Sequence, residues 1–218
     1  MNTYIDHTLL KPDATLHQIH NLCEEAIAYK FATVCINSSF VKDAFEILKY
    51  SETKVCTVVG FPLGASSTKS KVEEAKQAIE DGASEIDMVI HQGKMKEKDF
   101  QYIEDDIRSV KKSIGSNMLK VILETCNLTE EEIANACQIS EKAGADYVKT
   151  STGFGSHGAT IEAVKIMKKN ISDNVKIKAS GGIRDLKTAQ KYIDAGASRI
   201  GTSSGIAIVE GTSSNSKY

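Results

Sequence analysis

Short apolar runs alternate with longer amphipathic segments along the whole chain, and this alternation most constrains its fold. Eight runs read as buried strands: Tyr4–Asp6, Thr33–Ile36, Lys54–Val59, Glu85–Val89, Leu119–Leu123, Tyr147–Lys149, Val175–Ser180 and Arg199–Gly201. Helical periodicity occupies intervening segments such as Leu16–Tyr29, Thr68–Asp81, Thr129–Ala143 and Lys187–Ala195. Eight strand–helix units predict an α/β protein with a parallel sheet closed into a single (β/α)8 TIM barrel. The alternative, an open flavodoxin-like sheet, would use only about five or six strands.

The length fits this interpretation. A single α/β barrel needs roughly 200 residues, and this chain has 218. A chain of this size buries enough apolar surface to fold without disulfide or metal staples. We assign residues 1–210 to the barrel as one catalytic domain. Residues 211–218 are small and polar and are predicted to form a flexible C-terminal tail.

Composition excludes several classes of partner. The formal net charge is -2, which does not favour nucleic acid or a membrane surface. No apolar stretch reaches the length of a membrane span, and the first residues lack the pattern of a signal peptide. The five cysteines include no CxxC pair and indicate free thiols in a reducing compartment. We therefore expect a cytoplasmic protein.

Neither a metal nor an organic cofactor is predicted. The five histidines and five cysteines show no ligand spacing, and His17 and His20 are better explained as a solvated helix face than as a metal site. Walker and GxGxxG patterns, which would indicate a nucleotide, do not occur.

A weak internal repeat places chemistry at one end of the strands. Gly-Ala pairs at residues 82, 144 and 196 each end a helical segment two residues before a strand. The sixth position of each repeat is Asp87, Lys149 and Gly201 in turn. Equivalent positions in a barrel lie at similar heights, and active sites in this fold occupy the carboxyl ends of the strands. Helix-to-strand packing alone explains the glycines but not the charged residues.

Two lysines end neighbouring predicted strands. If Lys149 and Lys178 both point inward, repulsion of about 3 kcal/mol between the ammonium groups would lower a lysine pKa by roughly two units. A lysine beside another cation is a recognised way to prepare a Schiff-base amine. Asp87 could exchange protons with such an amine through water. A structural ion pair inside the barrel is the alternative explanation for all three residues.

Glycine and hydroxyl residues follow the last two predicted strands. Gly181 and Gly182 follow the seventh, and Gly201 to Gly205 follow the eighth with Ser203 and Ser204 among them. Barrels often hold a phosphate in these two loops, where glycines let backbone N–H groups approach the anion. Plain turns are the competing explanation.

Several motifs together resemble the 2-deoxyribose-5-phosphate aldolase family. The most specific are Val-Lys-Thr-Ser-Thr-Gly-Phe around Lys149 and Lys-Ala-Ser-Gly-Gly-Ile-Arg around Lys178. Residues 5–10, 34–37, 59–64, 85–89 and 120–125 are similar too, so the resemblance covers nearly the whole chain. It implies a class I aldolase that reversibly cleaves 2-deoxy-D-ribose 5-phosphate to D-glyceraldehyde 3-phosphate and acetaldehyde, in deoxyribose phosphate catabolism. It also implies a small phosphorylated sugar and aldehydes as partners, and it is compatible with a homodimer.

The resemblance also implies roles for individual residues. Lys149 corresponds to the imine-forming lysine, Lys178 to the second lysine that lowers its pKa, and Asp87 to the proton-relaying acid. The substrate- and phosphate-binding positions correspond to Thr152, Gly153, Gly181, Gly182, Gly201, Ser203 and Ser204, with Asp6, Thr8 and Cys35 lining the pocket. Phe154 stands where some members carry a lysine near the phosphate, which predicts a less cationic phosphate site.

Two further residues, Lys120 and Tyr218, are candidates for proton relay. Lys120 alternates inward on the fifth predicted strand and is also the main internal rival to Lys149 as imine former. Tyr218 ends the tail, where family members carry a tyrosine that assists proton exchange. Alternatives for the whole protein are a transaldolase-like enzyme, a sugar-phosphate isomerase and a non-catalytic sugar-phosphate-binding barrel. A metal-dependent aldolase is disfavoured by the lack of a histidine cluster.

Overall fold

The computed structural model describes residues 1–213 and contains eight parallel strands closed into a barrel. The strands pair in chain order, and β8 closes on β1 through pairs such as Asp6 with Gly201. Their bounds are β1 Ile5–Leu9, β2 Thr33–Ile36, β3 Lys54–Val59, β4 Glu85–Val89, β5 Met118–Ile122, β6 Tyr147–Lys149, β7 Lys176–Ser180 and β8 Arg199–Thr202. The (β/α)8 TIM barrel predicted from the alternation is confirmed.

Helices connect the strands. Their bounds are α1 Leu16–Ala28, α2 Val41–Leu48, α3 Thr68–Glu80, α4 Gln92–Lys96, α5 Phe100–Ser113, α6 Glu130–Lys142, α7 Ile161–Lys169, α8 Leu186–Asp194 and α9 Gly205–Val209. Short 3-10 turns occupy Asn2–Tyr4, Ser38–Phe40 and Thr125–Asn127. No helix within residues 1–213 is long and apolar enough to cross a membrane.

Predicted and observed boundaries differ at element ends, where capping decides the limit. The predicted helix Thr129–Ala143 loses both end residues, because the Thr129 side chain accepts from Glu132 as an N-cap and Ala143 is the C-cap. The first strand differs most. It runs to Leu9 because Leu9 pairs with Ile36 of β2. The local pattern of apolar residues does not show this pairing.

The apolar core lies between the outer face of the barrel and the helices. Strand residues such as Val34, Ile86 and Val121 pack there against helix residues such as Ile19 and Ile107, all fully buried. This arrangement removes most of the apolar surface from water on the outside of the sheet. It leaves the barrel interior to a different set of side chains, many of which are charged.

The described end of the chain packs back onto the barrel. After α9, Ser213 forms an isolated antiparallel bridge with Asp185, the N-cap residue of α8. The predicted boundary between a domain at 1–210 and a tail at 211–218 stays a prediction.

Candidate active site

Three lysines converge on one carboxylate inside the barrel. Lys149 Nζ and Lys178 Nζ each donate to Asp87 Oδ2 at 2.8 Å, and Lys120 Nζ donates to Oδ1 at 2.9 Å. All four residues are buried. The sequence predicts a water between Asp87 and the amines, whereas the structure has direct contact. Asp87 is paired with Lys120 across β4 and β5, and Lys149 is paired with Lys178 across β6 and β7. The long lysine side chains span the remaining distance to Asp87 inside the closed barrel.

Further charges surround this centre. Asp6 pairs with Lys178 at 2.5 Å and with Arg199 at 2.6 Å, while Glu85 pairs with Lys120 at 2.5 Å. Together with the groups described above, the cluster contains three carboxylates and four basic side chains. Fully ionised, it therefore carries one excess positive charge.

These pairings outweigh the effect of burial on the titrating groups. Burial alone would raise the pKa of Asp87, but the charges of the three surrounding lysines hold it well below its usual value. Burial alone would lower the pKa of Lys178, but Asp6 and Asp87 raise it above its ordinary value. Lys178 is thus a permanent cation beside Lys149 at neutral pH.

A cavity of about 240 Å³ opens at the carboxyl ends of β6, β7 and β8, as expected for this fold. Eight of the predicted site residues line it: Thr8, Lys149, Thr152, Gly153, Gly181, Gly182, Gly201 and Ser203. Leu10, Ser180, Ile183, Arg184 and Thr202 complete the lining. Of the three clustered lysines, Lys149 is the one that reaches this cavity.

Six predicted residues do not line the cavity. Asp6, Asp87, Lys120 and Lys178 belong to the buried charge cluster beneath Lys149. Cys35 is buried next to Thr8 in the sheet. Ser204 is buried, and its hydroxyl has no hydrogen-bond partner among residues 1–213. Tyr218, the predicted proton relay, lies outside the described residues.

Gly201 has a steric reason to be glycine. A Cβ placed there would lie 2.9 Å from Lys178 Cε, closer than real Cβ contacts, and at a tight 3.0 Å from Ser180 Cβ. The backbone of β8 therefore packs directly against the stem of the second lysine. Any side chain at this position would move Lys178 relative to Asp87.

Glu124, which sequence analysis does not select, supports the loop above Lys149. It is buried, adopts a left-handed conformation with φ of 57°, and has no paired cation within the described part of the chain. Its carboxylate accepts from the Thr152 hydroxyl and, at 3.3 Å, from the Thr152 backbone N–H. A non-glycine residue in this conformation is uncommon and marks a position held by its surroundings. The sequence signal that could have identified Glu124 is the inward alternation that starts from Lys120 on β5.

Arg184 is the second residue that sequence analysis does not select. Its exposed side chain lines the cavity directly after the Gly181–Gly182 turn. The guanidinium supplies a cation at the rim of the cavity. Phe154 itself packs edge-on against Phe61, with ring centroids 5.4 Å apart.

Comparison with known proteins agrees with this geometry. A family profile described as DeoC/LacD family aldolase matches residues 1–211. The deoxyribose-phosphate aldolase of Finegoldia magna is 58% identical over 211 residues, covering 97% of this chain and 99% of the relative. That of Brevibacillus brevis is 56% identical over 211 residues, covering 97% of this chain and 96% of the relative.

Solved structures give the same result. A putative deoxyribose-phosphate aldolase from Coccidioides immitis superposes with a TM-score of 0.94 at 45% identity, covering 96% of this chain and 84% of that one. The tetrameric deoxyribose phosphate aldolase from Aeropyrum pernix gives a TM-score of 0.88 at 32% identity, covering 96% and 89%. The chain therefore belongs to the DeoC/LacD family of aldolases.

Proposed function

We propose that this aldolase reversibly cleaves 2-deoxy-D-ribose 5-phosphate to D-glyceraldehyde 3-phosphate and acetaldehyde, with Lys149 as the imine-forming residue. The observation that carries this assignment is the position of Lys149: its amine contacts Asp87 in the buried cluster, and the residue also lines the cavity. Lys120 and Lys178 share the cluster but do not line the cavity. Relatives more than half identical over nearly the whole chain support the reaction.

The imine step uses the charge excess of the cluster. Loss of one proton from Lys149 leaves equal numbers of positive and negative groups and gives a neutral amine that attacks the sugar aldehyde. Water leaves, and a protonated imine forms at C1. The imine withdraws electrons as the C3 hydroxyl loses its proton and the C2–C3 bond breaks, which releases D-glyceraldehyde 3-phosphate and leaves an enamine. Protonation at C2 and hydrolysis then release acetaldehyde and free the amine.

Proton transfer needs a group within hydrogen-bond reach of the reacting nitrogen. Asp87 Oδ2 meets that requirement at 2.8 Å, and the same oxygen contacts Lys178. Proton movement along this chain would keep the cluster's charge constant. The substrate phosphate would lie against the backbone of Gly181, Gly182 and Gly201 and the hydroxyl of Ser203, with Arg184 at the rim.

Borohydride reduction of the imine tests the proposal. Incubation with deoxyribose 5-phosphate and borohydride should add one substrate-derived fragment to the Lys149 peptide, and Lys149→Arg should abolish the adduct. Lys165→Arg, in α7 away from the cavity, serves as the matched control and should be labelled at Lys149 as in the wild type. An adduct on Lys120 or Lys178 with Lys149 unmodified would overturn the assignment.

We also propose that the protein acts in the cytoplasm and as a homodimer. Unpaired thiols at all five cysteines support a reducing environment. Light scattering on the purified protein would decide between a dimer and the tetrameric state of the Aeropyrum pernix relative.

A further inference from the structure

Two thiols lie side by side in the barrel wall next to the amine cluster. Cys35 in β2 and Cys56 in β3 are paired Cα positions of neighbouring strands, and both are fully buried. Their Sγ atoms lie within 4.8 Å of each other. Asp87 follows on β4, where its Oδ1 accepts from Cys56 Sγ at 3.1 Å. Two sulfurs and one carboxylate oxygen thus converge from three adjacent strands.

The distances fit a single small cation. The two Sγ atoms and the Asp87 oxygen all lie within 4.8 Å of one another. A tetrahedral Zn²⁺ ion binds sulfur at about 2.3 Å and carboxylate oxygen at about 2.0–2.2 Å, which places its ligand atoms roughly 3.5–4 Å apart. Rotamer-scale adjustments would close the remaining gap. Thiolate ligands select soft or borderline metals over Mg²⁺ or Ca²⁺.

We propose that Cys35, Cys56 and Asp87 form a binding site for a thiophilic divalent cation of the Zn²⁺ and Cd²⁺ class, and that its occupation inhibits the aldolase. The inhibition rests on the proposed role of Asp87, whereas the binding does not. The sequence predicts no metal because its histidines and cysteines show no local ligand spacing. These ligands are far apart in the chain and are brought together only by strand pairing.

The charge of the site permits a divalent cation to replace two thiol protons. Binding of one divalent cation to two thiols releases two protons to solvent, so the net charge of the cluster does not change. A cation that displaced no protons would instead add to the excess positive charge of the cluster. The thiol pair is therefore what makes a cation acceptable so close to Lys120 and Lys178.

Occupation would remove Asp87 from its role at the reacting amine. The ion would bind Oδ1, which now contacts Cys56 and Lys120, and would withdraw electron density from Oδ2, which contacts Lys149. The site lies next to the cavity wall. Leu10, one of its lining residues, packs in the same cluster as both cysteines.

Cadmium titration tests the site directly, because Cd²⁺–thiolate bonds absorb in the ultraviolet without any enzymatic reaction. The wild type should bind one Cd²⁺ with this absorption, and aldolase activity should fall in proportion to occupancy and recover with a chelator. Cys35→Ser and Cys56→Ser should each weaken binding by about tenfold or more. The matched control is Cys126→Ser, which removes a partly exposed thiol outside the site and should bind as the wild type does.

The outcomes separate the two parts of the proposal. An absorption band that persists at full strength in Cys56→Ser, or disappears in Cys126→Ser, would overturn the site. Full cadmium occupancy with unchanged borohydride trapping at Lys149 would overturn the inhibition. Should the metal-free enzyme fail to cleave deoxyribose 5-phosphate, the proposed function fails while the absorption titration still decides on the site.

Discussion

At the scale of single residues, the charge next to Lys149 determines when its amine can react. Lys178→Leu removes a cation and leaves Asp87 in contact with Lys149, which favours the protonated amine. The pH at which borohydride trapping is half maximal should therefore rise by about one to two units. Lys178→Arg keeps the charge and should move this midpoint much less. Identical midpoints in the two variants would refute a role through charge.

Arg184 is predicted to discriminate in favour of the phosphate. Its guanidinium is exposed at the cavity rim and can pair with the anion when the sugar binds. Arg184→Met should lower kcat/KM for deoxyribose 5-phosphate by about tenfold, the value of one charge-assisted hydrogen bond of roughly 1.5 kcal/mol. The rate with 2-deoxyribose, which has no phosphate, should change little. Steady-state kinetics on both sugars give the comparison, and an equal loss on both would contradict the assignment.

At the scale of elements, Glu124 lies just after β5 and holds the segment between β6 and α7 through its bonds to Thr152. Glu124→Gln keeps the shape of the side chain but replaces one charged acceptor oxygen by an NH2 donor. The Thr152 hydroxyl must then accept instead of donate, and both bonds to Thr152 lose their charge assistance. We expect kcat/KM to fall on the order of tenfold through misplacement of the cavity wall.

The matched control for this variant is an exposed glutamate. Glu130→Gln lies in the first turn of α6 and should leave kcat/KM unchanged. Trapping at saturating substrate should still label Lys149 in Glu124→Gln, since the amine and Asp87 are untouched. A lost adduct would mean that Glu124 acts in the chemistry itself and not on the loop.

How much of the site is predictable from sequence also depends on elements. Asp87 and Lys149 were identifiable from the Gly-Ala repeat, and Lys178 from its place on the strand next to Lys149. Arg199 and Glu85 were not selected, because their partners depend on the stagger of strands around the closed barrel. Local periodicity gives the side of a strand on which a residue lies. It does not give the height at which that residue meets another strand.

At the scale of the whole molecule, the cluster should set the pH range of stability. Asp6 and Asp87 have pKa values lowered from 3.8, so their contribution is complete above that value and is lost as the pH falls below it. Lys120 and Lys178 have pKa values raised from 10.5, so their contribution is complete below that value and is lost as the pH rises above it. The free energy of unfolding in urea should thus be flat in the neutral range and fall at both ends.

Salt distinguishes this cluster from surface pairs. Screening acts over about 10 Å at 0.1 M salt and mainly between exposed charges, so the acid and alkaline losses should persist at about 1 M salt. Exposed pairs such as Lys76 with Glu73 should contribute little under either condition. If the loss of unfolding free energy at low pH disappears in high salt, the pH dependence comes from exposed ion pairs and not from the buried cluster.

The bond between Asp6 and Arg199 spans 193 positions and therefore has a consequence for how the protein is made. During synthesis β1 leaves the ribosome long before β8 has been made. Until then the Asp6 carboxylate cannot pair with Arg199. Lys149 and Lys178 also follow much later than Asp87 along the chain. The charge network can therefore be completed only when the ring of strands closes. A chain that stops before β8 has unmatched charges inside the barrel, and an assembled charge network is a sign that the eighth strand is in place.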